Sequence, residues 1–262
     1  MSEQGQSTRQ ETFISHLIEL RDRLLRSIIA IVVVFLFLYL VFPKGDTIYT
    51  FLAQPLLAVL PEGTSMIATE VTAPFFVPLK VTLMAAFLIT LPYVLWQVWA
   101  FIAPGLYQHE RKLLVPVLLS SLILFLIGMA FAYFIVFPVV FKFFASLVPS
   151  GVQMMTDISK YVSFVLTMFL AFGVTFETPV IVMVLIYMNI VTLEQFRNAR
   201  PYIIVGAFVV AAIVTPPDVL SQLFLAFPLW LLYEFGMFLS RFVTSRSARN
   251  QGSEVRDQES GV

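Results

Sequence analysis

Cysteine is absent from the 262 residues, which excludes a disulfide framework, thiolate metal sites and a cysteine nucleophile. Charge is scarce. Asp, Glu, Lys and Arg together supply 12% of the chain, against about 25% in an ordinary soluble domain. Histidine occurs only as His16 and His109, and the chain carries no His-Glu-x-x-His zinc motif, no Gly-x-Ser-x-Gly elbow and no phosphate-cradling glycine loop. Ser159 and Lys160 are a serine and a lysine side by side, but neighbours on a helix do not face each other. No catalytic constellation is left, so an enzyme is not expected. What is present is apolar surface, with 59% hydrophobic residues and a mean hydropathy of +0.91. Such a composition belongs to an integral membrane protein.

A helix rises about 1.5 Å per residue and needs roughly 20 residues to cross a hydrocarbon core. Six apolar runs meet or approach that length: Leu24 to Phe42, Val81 to Ala103, Leu113 to Phe137, Tyr161 to Ile190, Tyr202 to Thr215 and Val219 to Phe242. The expected fold is an all-α integral membrane protein with six transmembrane helices, the last two short. The first run is followed by Phe-Pro-Lys-Gly-Asp without a small-residue cleavage site, so it is expected to be a retained span.

The eleven arginines give the orientation. Arg9, Arg21, Arg23 and Arg26 precede the first run, Arg111 lies between the second and third, Arg197 and Arg200 between the fourth and fifth, and Arg241, Arg246, Arg249 and Arg256 follow the sixth or close it. The alternate gaps hold no arginine, only lysines such as Lys44, Lys142 and Lys160. The positive-inside rule then places both termini in the cytoplasm. Residues 1–23 read as a cytoplasmic amphipathic segment, 24–242 as the six-helix domain with extracytoplasmic cap loops, and 243–262 as a disordered polar tail.

Two runs depart from the usual length. The fifth has about 14 residues between Pro201 and the Thr215-Pro-Pro-Asp218 turn, roughly 21 Å of helix, which suggests local bilayer thinning. The fourth is longer than a span needs and contains Pro179, which predicts a kink or tilt. In the first cap loop Ile48, Leu52, Leu56, Val59 and Leu60 recur at helical spacing, as expected of a short surface helix, and Val139 to Leu147 fits the same description.

Several acidic and polar residues stand out against this background. Phe13, Leu17, Leu20 and Leu24 fall at i, i+4, i+7 and i+11, an amphipathic helix along the cytoplasmic interface, with Thr8 and Glu11 as a capping box and Glu19 on the wetter side. Glu19 reads either as an i,i+4 partner of Arg23 or as a ligand-binding carboxylate. Glu110 lies near the start of the third span, where the helix dipole alone would favour it. Phe101 and Tyr107 flank the same turn and also suit interfacial aromatics. Glu177 sits within an apolar run, which points to a polar cavity or to a protonated carboxyl hydrogen-bonded to a neighbouring helix. Lys80, Gln222 and Glu234 are further polar residues in or near spans, and Asp218 fits a plain turn residue.

The stretches His16-Leu-Ile-Glu-Leu-Arg21, Met66-Ile-Ala-Thr-Glu-Val-Thr-Ala-Pro-Phe-Phe76, Gln97-Val-Trp-Ala-Phe-Ile-Ala-Pro-Gly-Leu-Tyr107 with His109-Glu-Arg111, Phe172-Gly-Val-Thr-Phe-Glu177, Arg200-Pro-Tyr202 and Thr215-Pro-Pro-Asp218 occur in this order over almost the whole chain. Together they resemble the TatC family, the multi-spanning core subunit of the twin-arginine protein translocase. The resemblance implies a receptor that recognises the paired arginines of signal peptides on folded cargo and helps to assemble a pathway driven by the proton-motive force. It implies Glu19 and Glu110 as signal-binding carboxylates, with Leu20, Arg21, Phe101 and Tyr107 around them. It further implies Thr215 and Gln222 in docking of single-span TatA-type and TatB-type subunits, Pro55 and Asp218 in assembly, and Glu177 as the acidic residue of a polar interior. Other copies of the chain and the lipid bilayer are the remaining partners, in a bacterial cytoplasmic membrane, with no cofactor, metal or nucleic acid.

The physics suits that assignment, because a guanidinium bonds a carboxylate as a planar fork whereas an ammonium is a point charge. The chief rival is a secondary transporter with Glu177 as its ion or proton site. It would need a substrate site at a repeat interface, and the sequence shows no internal repeat. A structural scaffold is a third reading, but it leaves the cytoplasmic carboxylates without a task.

Overall fold

The computed structural model describes residues 2–41, 50, 52, 54, 66–102, 111–149, 152, 155–188, 190–215 and 218–259, and their side chains except within 2–14, 111–114 and 241–259. The elements are α1 (Ser2–Val41), α2 (Ala73–Ile102), α3 (Arg111–Phe131), a π-helical turn (Ala132–Val136), α4 (Phe137–Ser146), α5 (Ile158–Phe176), α6 (Thr178–Tyr187), α7 (Leu193–Val214) and α8 (Val219–Glu259). Six stretches are long and apolar enough to cross a bilayer: Ser15–Val41, Ala73–Ile102, Val115–Ser146, Ile158–Tyr187, Leu193–Val214 and Val219–Ser240. The chain is an all-α, six-span membrane protein. An even number of spans puts both termini on the side that the arginines assign to the cytoplasm.

The helix ends differ from the sequence expectation beside two prolines, Pro138 and Pro201. α3 does not stop near Phe137. It passes through the π turn into α4, so Val139 to Leu147 continues the third span instead of forming a surface helix. Pro138 accounts for the turn, because it offers no amide to the preceding carbonyls, and the Phe137 amide reaches back five residues to the Ala132 carbonyl. Pro201 lies inside α7, which starts earlier at a capping box made by Thr192 and Gln195. The helix is therefore 22 residues long, although its uninterrupted apolar part is still only Tyr202 to Val214. Pro179 does interrupt the fourth span. α5 ends at Phe176 and α6 begins at Thr178, with Glu177 at the junction.

Two further stretches outside the apolar runs are helical. α1 continues as one helix from the interfacial residues into the first span. α8 runs on through 243–259, where Glu, Gln and Arg are good helix formers and proline is absent. Most of the predicted cap helix, Ile48 to Leu60, lies outside the described residues.

The chain divides into two compact units. The first comprises residues 1–54, 65–122 and 155–163, and the second 55–64, 123–154 and 164–262. In the first, α1 packs on α2, whose Val77, Val81, Met84, Leu91, Leu95 and Trp99 are buried. The buried Trp99 indole donates to Ser121 Oγ at 2.8 Å, which satisfies two polar groups away from water.

On the opposite side of this unit, Asp157 holds the approach to α2 against the start of α5. The Ile67 amide donates to the Thr156 carbonyl at 3.1 Å, and the Ile158 amide to the Ile67 carbonyl at 2.9 Å. Asp157 accepts from the Thr69 hydroxyl, from the Thr69 amide at 3.0 Å and from the Lys160 amide at 2.9 Å. The Thr69 hydroxyl, followed by the two amides, lowers its carboxyl from 3.8 to about 2. A depressed carboxyl stabilises the fold fully above its unfolded value, and this contribution disappears as the pH falls through about 2. Asp157→Ala is therefore expected to speed hydrogen exchange at the Thr69 and Lys160 amides about tenfold at neutral pH. The native chain should keep its protection at pH 5, and equal exchange in the two proteins would refute the pin.

In the second unit the packing is aromatic and close. Phe131 lies 5.6 Å from Phe172 and 5.5 Å from Phe176, and Phe137 lies 5.3 Å from Phe169, centroid to centroid. Gly236 on α8 faces the Pro179 backbone of α6, where a Cβ would lie 2.9 Å from Pro179 Cα. Val182, Ile186, Tyr233 and Met237 form a buried cluster beside this contact. Lipid tails are as apolar as leucine, so close approach and satisfied hydrogen bonds hold these helices together more than hydrophobic transfer does.

Candidate functional site

His16, Glu19 and Arg23 fall at i, i+3 and i+7, on one face of α1. Gln97 and Phe101 fall at i and i+4, on one face of α2. The two faces meet at the arginine-rich end of the first unit. Arg23 Nη2 and Nε both donate to Glu19 Oε1, at 2.6 and 2.8 Å, and Arg23 Nη1 donates to Gln97 Oε1 at 3.2 Å. Glu19 Oε2 lies 3.8 Å from His16 Nδ1, and the His16 ring stacks on Phe101 with centroids 4.4 Å apart and planes 14° from parallel. The Glu19 side chain is 39% exposed and that of Arg23 25%.

Glu19 is thus the i,i+4 partner of Arg23 that the sequence allowed, and its carboxylate remains partly exposed. Phe101 is brought to the same place by its contact with His16. Leu20 is exposed on the next position of α1, and Arg21 turns to its own exposed pair with Asp22 at 2.9 Å. Glu110 and Tyr107 lie outside the described residues, as does Pro55. His16, Arg23 and Gln97 were not singled out as site residues. The signal for Gln97 was a lone amide one helical turn before Phe101 in an apolar run, and for His16 the i,i+3 spacing to Glu19.

The remaining candidates are separate from this cluster. Thr215 is buried and donates its hydroxyl to the Ala211 carbonyl at 2.8 Å, while Gln222 Nε2 donates to the Phe208 carbonyl at 3.2 Å and ties α8 to α7. Asp218 caps α8, accepting from the Ser221 amide at 2.7 Å. Glu177 is 7% exposed at the break between α5 and α6. Glu234 is taken up by Arg200, whose Nη2 lies 2.6 Å from Glu234 Oε2, beside a groove of about 380 Å³ lined also by Phe235, Met237 and Phe238. Lys80 Nζ donates to Ser163 Oγ at 2.9 Å.

The family model described as Sec-independent protein translocase protein (TatC) matches residues 15–228. The chain belongs to the TatC family. The TatC protein of Escherichia coli K12 is 52% identical over 241 residues, 92% of each chain. That of Aquifex aeolicus is 40% identical over 240 residues, 90% of this chain and 97% of the relative. A crystal structure of the twin arginine translocase receptor TatC superposes with a TM-score of 0.77 at 40% identity, covering 87% of this chain and 99% of that one. The His16, Glu19, Arg23, Gln97 and Phe101 cluster therefore lies in the part of a TatC chain that the family model covers.

Proposed function

We propose that this TatC chain is the signal-peptide receptor and core subunit of a twin-arginine translocase in a bacterial cytoplasmic membrane. It carries no catalytic chemistry of its own and exports folded proteins at the expense of the proton-motive force. The observation that supports this reading best is the half-exposed Glu19 carboxylate on the arginine-rich face, with Oε2 3.8 Å from His16 Nδ1 and the His16–Phe101 stack beside it. A carboxylate with apolar and aromatic surroundings suits a guanidinium, which is planar and more weakly hydrated than an ammonium.

Glu110 supplies the second carboxylate of the reading, with Leu20, Arg21 and Tyr107 around the site. Single-span TatA-type and TatB-type subunits dock along α7 and α8, where Thr215 and Gln222 place polar groups in the spans, and Pro55 and Asp218 act in assembly. Glu177 keeps a polar interior at the break of the fourth span. In this reading residues 1–23 are a cytoplasmic amphipathic segment, 24–242 the six-helix membrane domain with extracytoplasmic cap loops, and 243–262 a cytoplasmic tail.

The full-length protein reconstituted in lipid is expected to bind a twin-arginine signal peptide at least about tenfold more tightly than its Lys-Lys counterpart. Fluorescence anisotropy with labelled peptides measures the ratio. Equal affinities would remove the receptor reading and leave a transporter or a scaffold.

A further inference from the structure

Glu19 already has a guanidinium of its own chain. Arg23 spends two donors on Oε1 and a third on Gln97 Oε1, and it is the more buried member of the pair. A guanidinium arriving from outside forms its strongest contact as a fork across both carboxylate oxygens. With Arg23 on Oε1, the oxygen without an Arg23 donor is Oε2, 3.8 Å from His16 Nδ1, so a complete fork requires Arg23 to let go.

We propose that Arg23 is a displaceable internal occupant of the signal-binding carboxylate, a residue that sets the affinity threshold for twin-arginine ligands. This rests on the receptor reading of Glu19. The arrangement provides for the displacement: Gln97 is buried on a different helix, and its carbonyl oxygen keeps an acceptor for Arg23 when Glu19 is taken. Arg23 then returns to Glu19 as the peptide leaves, so release does not expose a bare carboxylate. In population terms the site is competent for a full fork only in the fraction of molecules with Arg23 withdrawn, and the observed affinity is reduced by that fraction. An ammonium needs a single oxygen and can use Oε2 with Arg23 in place, so a Lys-Lys ligand is affected less.

The decisive variant is Arg23→Lys, which keeps the charge and weakens the hold on Oε1. In full-length protein reconstituted in nanodiscs at fixed ionic strength, it is expected to bind a synthetic twin-arginine signal peptide about threefold to tenfold more tightly than the native chain, with the Lys-Lys peptide gaining less. Arg23→Gln should shift the twin-arginine affinity in the same direction and further. The gain should vanish when Arg23→Lys is combined with Glu19→Gln. Unchanged or weaker twin-arginine binding in Arg23→Lys overturns the proposal, and so does an equal gain for both peptides, which would be a general field effect. Failure of the receptor reading itself looks different: Glu19→Gln alone would then bind both peptides as the native chain does.

Discussion

Glu19→Ala is expected to lower crosslinking of a twin-arginine signal peptide by about tenfold to a hundredfold, the range set by losing one charge-assisted contact at a partly exposed site. Assembly should survive. The side chain stands on the rim with 39% of its surface exposed, and an exposed i,i+4 ion pair contributes only about 0.3–0.5 kcal/mol to the helix that carries it. Arg23 is not abandoned by the substitution either, because Nη1 keeps Gln97. Glu19→Gln should reproduce most of the loss, since the shape stays and the charge goes. The complex formed by each variant should migrate as the native one does on a native gel. Native-level crosslinking in both variants would sink the assignment of Glu19, and loss of the complex in both would make the effect structural.

Glu19 was legible from the chain because its signal is local: a carboxylate in an amphipathic helix among arginines, within a recognisable stretch. Its partner Arg23 is local too, four residues on. Gln97 and Phe101 are not, as they come from α2, and nothing in the spacing of residues 13–26 says which face of which helix α1 will meet. The spans were legible for the same reason as Glu19, since hydrophobic length is read one segment at a time. Errors arose at prolines, where a local rule met a tertiary or backbone solution. The third apolar run closes at Phe137, just before Pro138, yet the π turn takes up the missing donor and the third span extends to Ser146. Pro201 reads as a start, while Thr192 and Gln195 spelled out a capping box nine residues earlier that the apolar boundary overshadowed.

The glycines show a further limit of reading segments singly, and they carry the other large effect. Gly128 on α3 lies close against α5, and Gly173 on α5 lies close against Phe125 of α3. A Cβ on Gly128 would lie 2.5 Å from the Phe172 carbonyl oxygen and 2.9 Å from the Phe176 ring, and one on Gly173 would overlap the Phe125 ring. The Phe125 ring could turn aside, but the Phe172 carbonyl belongs to the backbone of a helix and cannot move without its neighbours. Gly128→Val is therefore expected to cost about 1–3 kcal/mol or more through overpacking, seen as a drop in the thermal midpoint of the purified protein and in the yield of monodisperse material. Gly206 is the control. It lies on α7, where a Cβ would meet nothing within 4 Å, and Gly206→Val should leave both quantities near native, because valine is no poorer a helix former than glycine. If the two substitutions behave alike, close approach of α3 and α5 is not what requires glycine at 128, and the packing described for the second unit is wrong at its tightest point.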